Sequence, residues 1–184
     1  MPTTRRTFAA TLAATALAQA QNPTLGQGEH RYRVVPGWGV LDEKSPVKNC
    51  HGMVRDSEGH LLLLTDHTAN NVIVYDKRGR LVSKWGTAFP GAHGLSIVNE
   101  GRRQVLFLTD LQLHKVVKTT LDGQVLDEWA WPAASGKYPK EADYRPSWTL
   151  HQPDGSFFVL DGYGRDSILH YDARGKLQRL LGGA

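Results

Sequence analysis

The sequence predicts an all-β protein built from the four-stranded blades of a β-propeller. Two observations carry this prediction. Segments that begin at His51, His93 and Trp148 resemble one another, and His93 follows His51 by 42 residues. Each segment contains four short apolar runs separated by tight turns, which is typical of propeller blades of roughly 40–50 residues. The alternative is a β-meander or sandwich without repeat symmetry.

The elements of each repeat follow in a fixed order. The first run is predicted to be the innermost strand, whose start lines the central channel. The second run is rich in Leu, Val and Phe, as expected of a strand buried between neighbouring blades. Turns such as Asp56–Gly59 and Asp76–Gly79 use glycine for its easy access to positive φ. The predicted blades occupy residues 51–92, 93–146 and 147–184, and the second includes an inserted loop between Pro132 and Pro146.

The N-terminal segment has the pattern of a bacterial export signal. Arg5 and Arg6 precede a short, weakly apolar stretch, and Ala18 to Ala20 form a small-x-small cleavage site. This combination is typical of a twin-arginine (Tat) signal peptide, with an ordinary Sec signal as the alternative. We therefore interpret residues 1–20 as a Tat signal and expect a periplasmic or secreted protein. The apolar part is far shorter than the ~20 residues of a spanning helix, so no membrane span is expected.

Composition argues against nucleic acid as the partner. The chain has 22 Lys and Arg against 18 Asp and Glu, a formal net charge of +4. These cations are scattered along the sequence and form no basic run of the kind that binds phosphate backbones. Cys50 is the single cysteine, so no disulfide can form within the chain.

Residues 21–50 are predicted to supply one strand to another blade. Tyr32–Val35 with Trp38-Gly39 resembles the outer strand and closing Trp-Gly of a blade whose other strands are absent. Closed propellers have roughly four to eight blades, so three blades and one strand amount to about half of a six-bladed ring. The open faces of such a half-ring are apolar. A truncated gene is one explanation, and self-association of two half-rings through the open edges is another.

Two motifs in this chain resemble a known family. His93-Gly-Leu-Ser-Ile97 with Thr109-Asp-Leu-Gln-Leu-His114 is the first, and Leu160-Asp-Gly-Tyr163 is the second. Both are similar to segments of the NHL-repeat propeller of peptidyl-α-hydroxyglycine α-amidating lyase and its bacterial relatives. The resemblance covers His51 to Leu181 and implies an NHL-type, six-bladed fold.

This resemblance also implies roles for individual residues. His93 matches one of three channel-lining zinc ligands, and the other two would fall after residue 184. Backbone carbonyls at Met53 and Leu95 match ligands of a structural calcium. Tyr163 matches the catalytic tyrosine, which helps to remove the proton of the substrate hydroxyl. Asp66 stands where the family has a catalytic arginine, and an aspartate cannot stabilise developing negative charge as an arginine does.

Further polar residues near the strand ends are candidates for the channel lining. Structural roles stay open for all of them, because a histidine at a strand start can bond to neighbouring backbone and the arginine can form an ion pair within its loop. The candidates are His51, Asp66, His67, Asp110, His114, Asp161 and Arg165.

Three classes of function are compatible with these observations. The first is a non-catalytic exported propeller that binds a peptide or small ligand at its channel face. The second is a zinc-dependent lyase of the amidating type. The third is a calcium-dependent lactonase-type hydrolase, which would need acidic and Asn ligands at strand starts where this chain has His51, His93 and Trp148. We expect the first class.

Overall fold

The structure is a computed structural model that describes residues 24–183. The chain divides into two compact units, with the division after Gly37. The predicted signal segment, residues 1–20, lies outside the described residues. No helix among residues 24–183 is long and apolar enough to cross a membrane.

The first unit contains one β-hairpin. Strand β1 (Thr24–Gln27) pairs antiparallel with β2 (His30–Arg33). The sequence predicts a single strand at Tyr32–Val35, so the observed strand lies two residues earlier and has a partner of its own. The reason is local, since Gly28 at φ 57° opens a two-residue turn, and such turns favour residues that tolerate positive φ.

The second unit contains three four-stranded antiparallel sheets, which we call blades 1, 2 and 3. This confirms the all-β, propeller-type prediction. Within each blade the strands follow one another in sequence order. Helical structure in the described chain is limited to two short 3₁₀ helices, Ala133–Ser135 and Glu141–Asp143. The strands are β3 (Gly52–Arg55), β4 (Leu61–Leu64), β5 (Val72–Tyr75) and β6 (Leu81–Trp85) in blade 1, β7 (Ala92–Glu100), β8 (Arg103–Asp110), β9 (Lys115–Thr120) and β10 (Val125–Trp129) in blade 2, and β11 (Trp148–His151), β12 (Phe157–Asp161), β13 (Ser167–Tyr171) and β14 (Leu177–Gly182) in blade 3.

Strand register corrects one detail of the repeat read from the sequence. Thr149 pairs with Val159, just as Met53 pairs with Leu63 and Leu95 with Leu108. Trp148 therefore occupies the position of the two His-Gly glycines, and Ser147 occupies the position of the two histidines. The sequence comparison instead aligned Trp148 with the two histidines, which is wrong by one residue. The reason is that blade 3 lacks the His-Gly pair that anchors the comparison.

Neighbouring blades pack face to face, and the same face of each blade always contacts the next blade along the chain. Each blade has a back face toward the next blade and a front face toward the preceding one, as alternation of side chains along a strand requires. Apolar side chains fill both junctions, and most are fully buried. The first junction contains Leu62, Leu64, Val72 and Val74 from blade 1 with Leu95, Leu106, Leu108 and Val117 from blade 2. The second contains Val105, Phe107 and Val116 from blade 2 with Phe157, Val159, Leu169 and Tyr171 from blade 3.

A tryptophan at the end of blade 1 and another at the end of blade 2 each bond to the following blade. The Trp85 indole N–H donates to the Leu121 carbonyl at 3.0 Å, and the Trp129 indole N–H donates to the Gly175 carbonyl at 3.0 Å. Each ring lies against the glycine of the following blade's last turn, and a Cβ on Gly123 would lie 2.5 Å from the Trp85 ring. These glycines have positive φ and leave room for the ring.

Trp38 repeats this arrangement at the front face of blade 1. Its ring packs on Tyr75 with centroids 5.7 Å apart, and its N–H reaches the Lys77 carbonyl at 3.5 Å. A Cβ on Gly79 would lie 3.1 Å from the ring. Trp38 thus stands where the closing tryptophan of a preceding blade would stand, although no preceding blade is present among the described residues.

The inserted loop between Pro132 and Pro146 is anchored by two tyrosines. Tyr138 is 2 % exposed and Tyr144 is fully buried, and their rings meet edge to face at 5.2 Å. Both join the core between blades 2 and 3. Two buried anchors therefore fix the loop to the core, although most of its other residues are exposed.

Candidate ligand-binding site

Three aromatic rings from three blades form a row at the end where the inner strands begin. His51 directly precedes β3, His93 is the second residue of β7, and Tyr163 lies in the loop between β12 and β13. The His51 and His93 rings stack with centroids 4.4 Å apart and planes 16° from parallel. Tyr163 meets His93 edge to face at 5.2 Å. We call His51, His93 and Tyr163 the ring row.

The glycine after each histidine makes this convergence geometrically feasible. A Cβ on Gly52 would lie 2.7 Å from the Leu95 Cβ, and a Cβ on Gly94 would lie 2.5 Å from the Ser147 carbonyl oxygen. Such contacts are too short for any other residue, so glycine allows consecutive inner strands to approach closely. Each histidine is thereby held against the next blade.

His93 has a defined tautomer. Its Nδ1 lies 2.9 Å from the Ser147 carbonyl oxygen, which can only accept a hydrogen bond. Nδ1 therefore carries the proton, and in the neutral ring Nε2 keeps its lone pair. Nε2 is buried and has no hydrogen-bond partner among residues 24–183. This nitrogen is ready to accept a hydrogen bond from a ligand or to coordinate a metal ion.

The ring row combines this concealed acceptor with accessible aromatic surface. His51 is exposed, and Tyr163 is 56 % exposed. The His51 and Tyr163 rings both offer apolar contact and a polar atom. The arrangement is suited to a group with an O–H or N–H donor at its tip.

Asp66, Asp110 and Asp161, which follow or end the second strand of the three blades, have the same structural role. Each accepts the backbone N–H of the segment that leads into its own blade's inner strand. The donors are Asn49 for Asp66, Gly91 for Asp110 and Arg145 for Asp161, at 2.9–3.0 Å. Asp110 and Asp161 are buried, at 0 % and 1 % exposure, and both oxygens of each are engaged by backbone N–H groups.

Asp66 is the most accessible of the three aspartates, and it stays ionised. Burial alone would raise its pKa, but hydrogen bonds from the Asn49 side chain and backbone, with help from Lys48, bring the pKa below its usual value. Asp66 therefore carries a negative charge at neutral pH.

The remaining candidates lie in loops at the same ends of the strands and have partners of their own. His67 Nδ1 accepts the Ala69 N–H at 3.1 Å. His114, at φ 52°, donates from Nδ1 to the Tyr144 carbonyl at 2.7 Å and so holds the inserted loop. Arg165 forms an ion pair with Asp143 of that loop at 2.8 Å. Among the described residues, no ring contact or hydrogen bond links these three side chains to the ring row.

The metal sites implied by the family resemblance are incomplete in residues 24–183, where no three His, Cys, Asp or Glu side chains are placed to hold an ion. His51 cannot join His93 on one zinc, because zinc lies near the plane of each ligating ring, ~2.0–2.1 Å from nitrogen, and these planes run almost parallel. Met53 and Leu95 occupy equivalent positions on adjacent inner strands, as the calcium expectation requires.

Ser147 is a residue of the candidate site that the sequence did not reveal. Its carbonyl fixes the His93 tautomer, and its hydroxyl donates to the Leu160 carbonyl at 3.1 Å. A backbone acceptor has no side-chain signature. Correct alignment of Pro146-Ser147 with Ala92-His93 would have placed it beside the ring row.

Comparison with known proteins identifies the fold and no family. No family model matches the chain, and no curated protein matches it. Among solved structures, virginiamycin B lyase from Staphylococcus aureus is similar over 72 % of this chain, with 18 % identity and a TM-score of 0.53. A candidate exported protein from Bacteroides fragilis is similar over 79 %, with 18 % identity and a TM-score of 0.54. A protein of unknown function from Bacteroides caccae is similar over 84 %, with 13 % identity and a TM-score of 0.51.

The match extends over only part of those structures. The chain spans 41 % of the lyase, 40 % of the Bacteroides fragilis protein and 49 % of the Bacteroides caccae protein. At these identities the likeness concerns the fold alone. The second unit is therefore a β-propeller-type arrangement of three blades, about half the length of the propeller-like proteins it resembles.

Proposed function

We propose that this chain is an exported propeller protein of the NHL type that binds a small ligand or peptide group at the ring row, without catalysing a reaction. The observation that carries the proposal is the buried, unpartnered Nε2 of His93, held as an acceptor by the Ser147 carbonyl. An unpaired buried polar atom costs roughly 1–3 kcal/mol, and a ligand donor would remove that cost. Export is supported by the Arg5-Arg6 signal pattern and by the likeness to a candidate exported protein.

The ligand chemistry follows from the three rings. The tip of the ligand presents an O–H or N–H to His93, and a flat or apolar body rests on His51 and Tyr163. A peptide amide or a hydroxylated small molecule meets both requirements. Zinc is a further ligand that we propose for Nε2, with the missing donors supplied from outside the described residues, and calcium is proposed at the Met53 and Leu95 carbonyls on the same terms.

Ligand-observed NMR with a fragment set of small alcohols and amides tests the binding role. We expect some fragments to bind the wild type and to lose binding in His93→Gln. Tyr163→Phe, which keeps the ring, should retain most of it. The matched control is His114→Gln, which replaces a histidine that already has a partner. If no fragment discriminates between wild type and His93→Gln, the ring row is not a binding site.

A lyase of the amidating type is the second candidate. The observation in its favour is the direct contact of His93 with Tyr163, the two residues to which the family resemblance assigns zinc binding and proton removal. Against it stands the ionised Asp66 in place of the arginine, since a carboxylate repels developing negative charge. The third class, the calcium-dependent lactonase-type hydrolase, gains no support from residues 24–183, where no three His, Cys, Asp or Glu side chains are placed to hold an ion.

An assay with an α-hydroxyglycine-extended peptide separates binding from lyase activity. We expect no turnover with either chelator-treated or zinc-loaded protein. Zinc-dependent turnover that disappears in both His93→Ala and Tyr163→Phe would establish the lyase and overturn the non-catalytic proposal.

A further inference from the structure

The two glycines that flank Tyr163 lie against the end of the inserted loop and the residue after it. A Cβ on Gly162 would lie 3.0 Å from the Ser147 hydroxyl oxygen, and a Cβ on Gly164 would overlap the Asp143 carbonyl oxygen. The Gly162 N–H also donates to the Ser147 hydroxyl oxygen at 3.3 Å. Glycine therefore lets the turn that carries Tyr163 approach the loop backbone closely on both sides of the ring.

Side chains tie the same two segments together. The buried Asp161 carboxylate accepts the Arg145 N–H at 2.9 Å and the Arg165 N–H at 2.8 Å, so one side chain holds both backbones. The Arg165 guanidinium returns to the Asp143 carboxylate at 2.8 Å. This hydrogen bond lowers the pKa of Asp143, so both partners are charged at neutral pH. Tyr163 thus lies between two anchored residues, one before it in the chain and one after it.

The end of the inserted loop also reaches the other side of the ring row. The Ser147 carbonyl oxygen accepts a hydrogen bond from Nδ1 of His93 at 2.9 Å. The loop itself is held in place, because Tyr144 is fully buried between blades 2 and 3 and its carbonyl accepts a hydrogen bond from His114 at 2.7 Å. One fixed segment of chain therefore contacts both His93 and the turn that carries Tyr163.

The length of this connection exceeds what joining two blades requires. Residues 86–91 connect blades 1 and 2, whereas residues 130–147 connect blades 2 and 3. The shorter connection shows that the additional residues are not needed to link consecutive blades. An ordered loop of this length often supports a site.

We propose that the inserted loop positions Tyr163 for ligand binding, with Asp143 and Arg165 as the positioning residues. The proposal rests on the binding role of the ring row. Tyr163 is 56 % exposed, and its one aromatic contact among residues 24–183 is with His93, so the backbone anchors decide where its ring can lie. A ring held in place before binding spares the ligand the cost of ordering it. An accessible ion pair is worth up to about 1 kcal/mol, so its loss should weaken binding by about two- to fivefold.

Nuclear Overhauser effects in the ligand-free chain test the positioning without any ligand. The wild type should show them between the ring protons of Tyr163 and His93, whose centroids are 5.2 Å apart. Arg165→Gln and Asp143→Asn should weaken these effects by about twofold or more. Arg165→Lys, which keeps the charge, should retain most of them. Gly164→Ala reaches the same contact through the backbone and should weaken them with the ion pair intact.

Fragment affinity in the same variants connects the position of Tyr163 with binding. The dissociation constants of fragments that bind the wild type should rise about two- to fivefold in Arg165→Gln and Asp143→Asn. The matched control is Glu128→Gln, which breaks an ion pair of similar length, 2.9 Å to Lys115, on the outer strands of blade 2. This control should leave both the Overhauser effects and the affinities unchanged.

The two measurements separate failure of this proposal from failure of the binding role. Overhauser effects that persist in Arg165→Gln and Asp143→Asn, or that fall equally in Glu128→Gln, overturn the proposal. So does an unchanged fragment affinity in variants that have lost these effects. If no fragment binds the wild type, the binding role fails by itself, and the ligand-free spectra alone decide whether the inserted loop positions Tyr163.

Discussion

His151 makes the second junction between blades sensitive to acid. It ends β11, and its ring lies 4.2 Å from Phe107 and stacks on Phe157 at 5.6 Å, measured between centroids. Its Nε2 lies 3.1 Å from the Thr149 hydroxyl oxygen. Burial lowers the pKa of His151 from 6.5 to about 4, with Glu100 raising it slightly and Lys118 lowering it. The fold therefore accommodates the neutral imidazole and resists the charged one.

The sign and size of the effect follow from proton linkage. In the unfolded chain His151 takes up a proton near pH 6.5, whereas in the folded chain it does so only near pH 4. The neutral ring's contribution is complete above pH 6.5 and is lost as pH falls from 6.5 toward 4. The gap between these two pKa values corresponds to about 3 kcal/mol. Because the ring is only partly buried and water screens it, we expect about 1–2 kcal/mol.

Urea denaturation at pH 7.5 and pH 4.5 measures this contribution. Acidification should lower the free energy of unfolding of both proteins. The drop should be about 1–2 kcal/mol smaller in His151→Gln than in the wild type, because Gln stays neutral and keeps an N–H donor. His170→Gln is the matched control, since it removes a histidine that stacks on Phe158 outside the Phe107 cluster. If His151→Gln loses as much stability on acidification as the wild type, burial of this ring does not produce the acid sensitivity.

Three further substitutions test the contacts between and within blades. Trp85→Phe removes an indole N–H that reaches the next blade, so the free energy of unfolding in urea should fall by about 1–2 kcal/mol; an unchanged midpoint would contradict this. Gly123→Ala should cost at least about 2 kcal/mol in thermal or urea unfolding, and clearly more than Gly101→Ala, because both have positive φ but only Gly123 lies against a ring. Asp110→Ala leaves three backbone N–H groups unpaired and should cost about 2–4 kcal/mol, whereas exposed Asp127→Ala should change stability by less than about 0.5 kcal/mol; equal effects would show that the Asp110 contacts are replaceable.

The blades could be predicted from the sequence because their signals are local. A turn such as Asp76–Gly79 combines an aspartate whose carboxylate accepts nearby N–H groups with a glycine at φ 76°, and both features are visible in the residue types. The apolar runs between such turns can only be strands of a few residues. Repetition of the pattern then gives three blades without any knowledge of long-range contacts.

Register and face could not be predicted from the same signals. The second strand ends in Thr65-Asp66 in blade 1 and in Thr109-Asp110 in blade 2. Despite these identical endings, the pairing of the second strand with the third differs by one residue between the two blades. A shift of one residue exchanges the two faces of a strand. The displacement of Trp148 by one position has a different cause, since blade 3 lacks the His-Gly pair that anchors the comparison.

The sequence predicted the ring row better than it predicted the roles of the other channel-lining candidates. His93 and Tyr163 could be singled out by motif, and the structure brings them into contact. The channel-lining candidates Asp110 and Asp161 were chosen for their position at strand ends, which is also where a blade needs acceptors for the backbone N–H groups of its entering segment. Position alone cannot distinguish these two uses of a carboxylate. Burial and hydrogen-bond partners can.

The ring row and the packing of the inner strands arise from the same pair of residues. Glycine in the His-Gly pair lets consecutive inner strands approach, and the histidine beside it is then pressed against the next strand. Packing explains the glycine completely, but it does not explain an imidazole at position 93, because blade 3 has Ser147 at the equivalent position. The His93 ring leaves a buried nitrogen without a partner, at a cost that serine would avoid. Under the proposed binding role, a ligand donor would pair with this nitrogen and remove that cost.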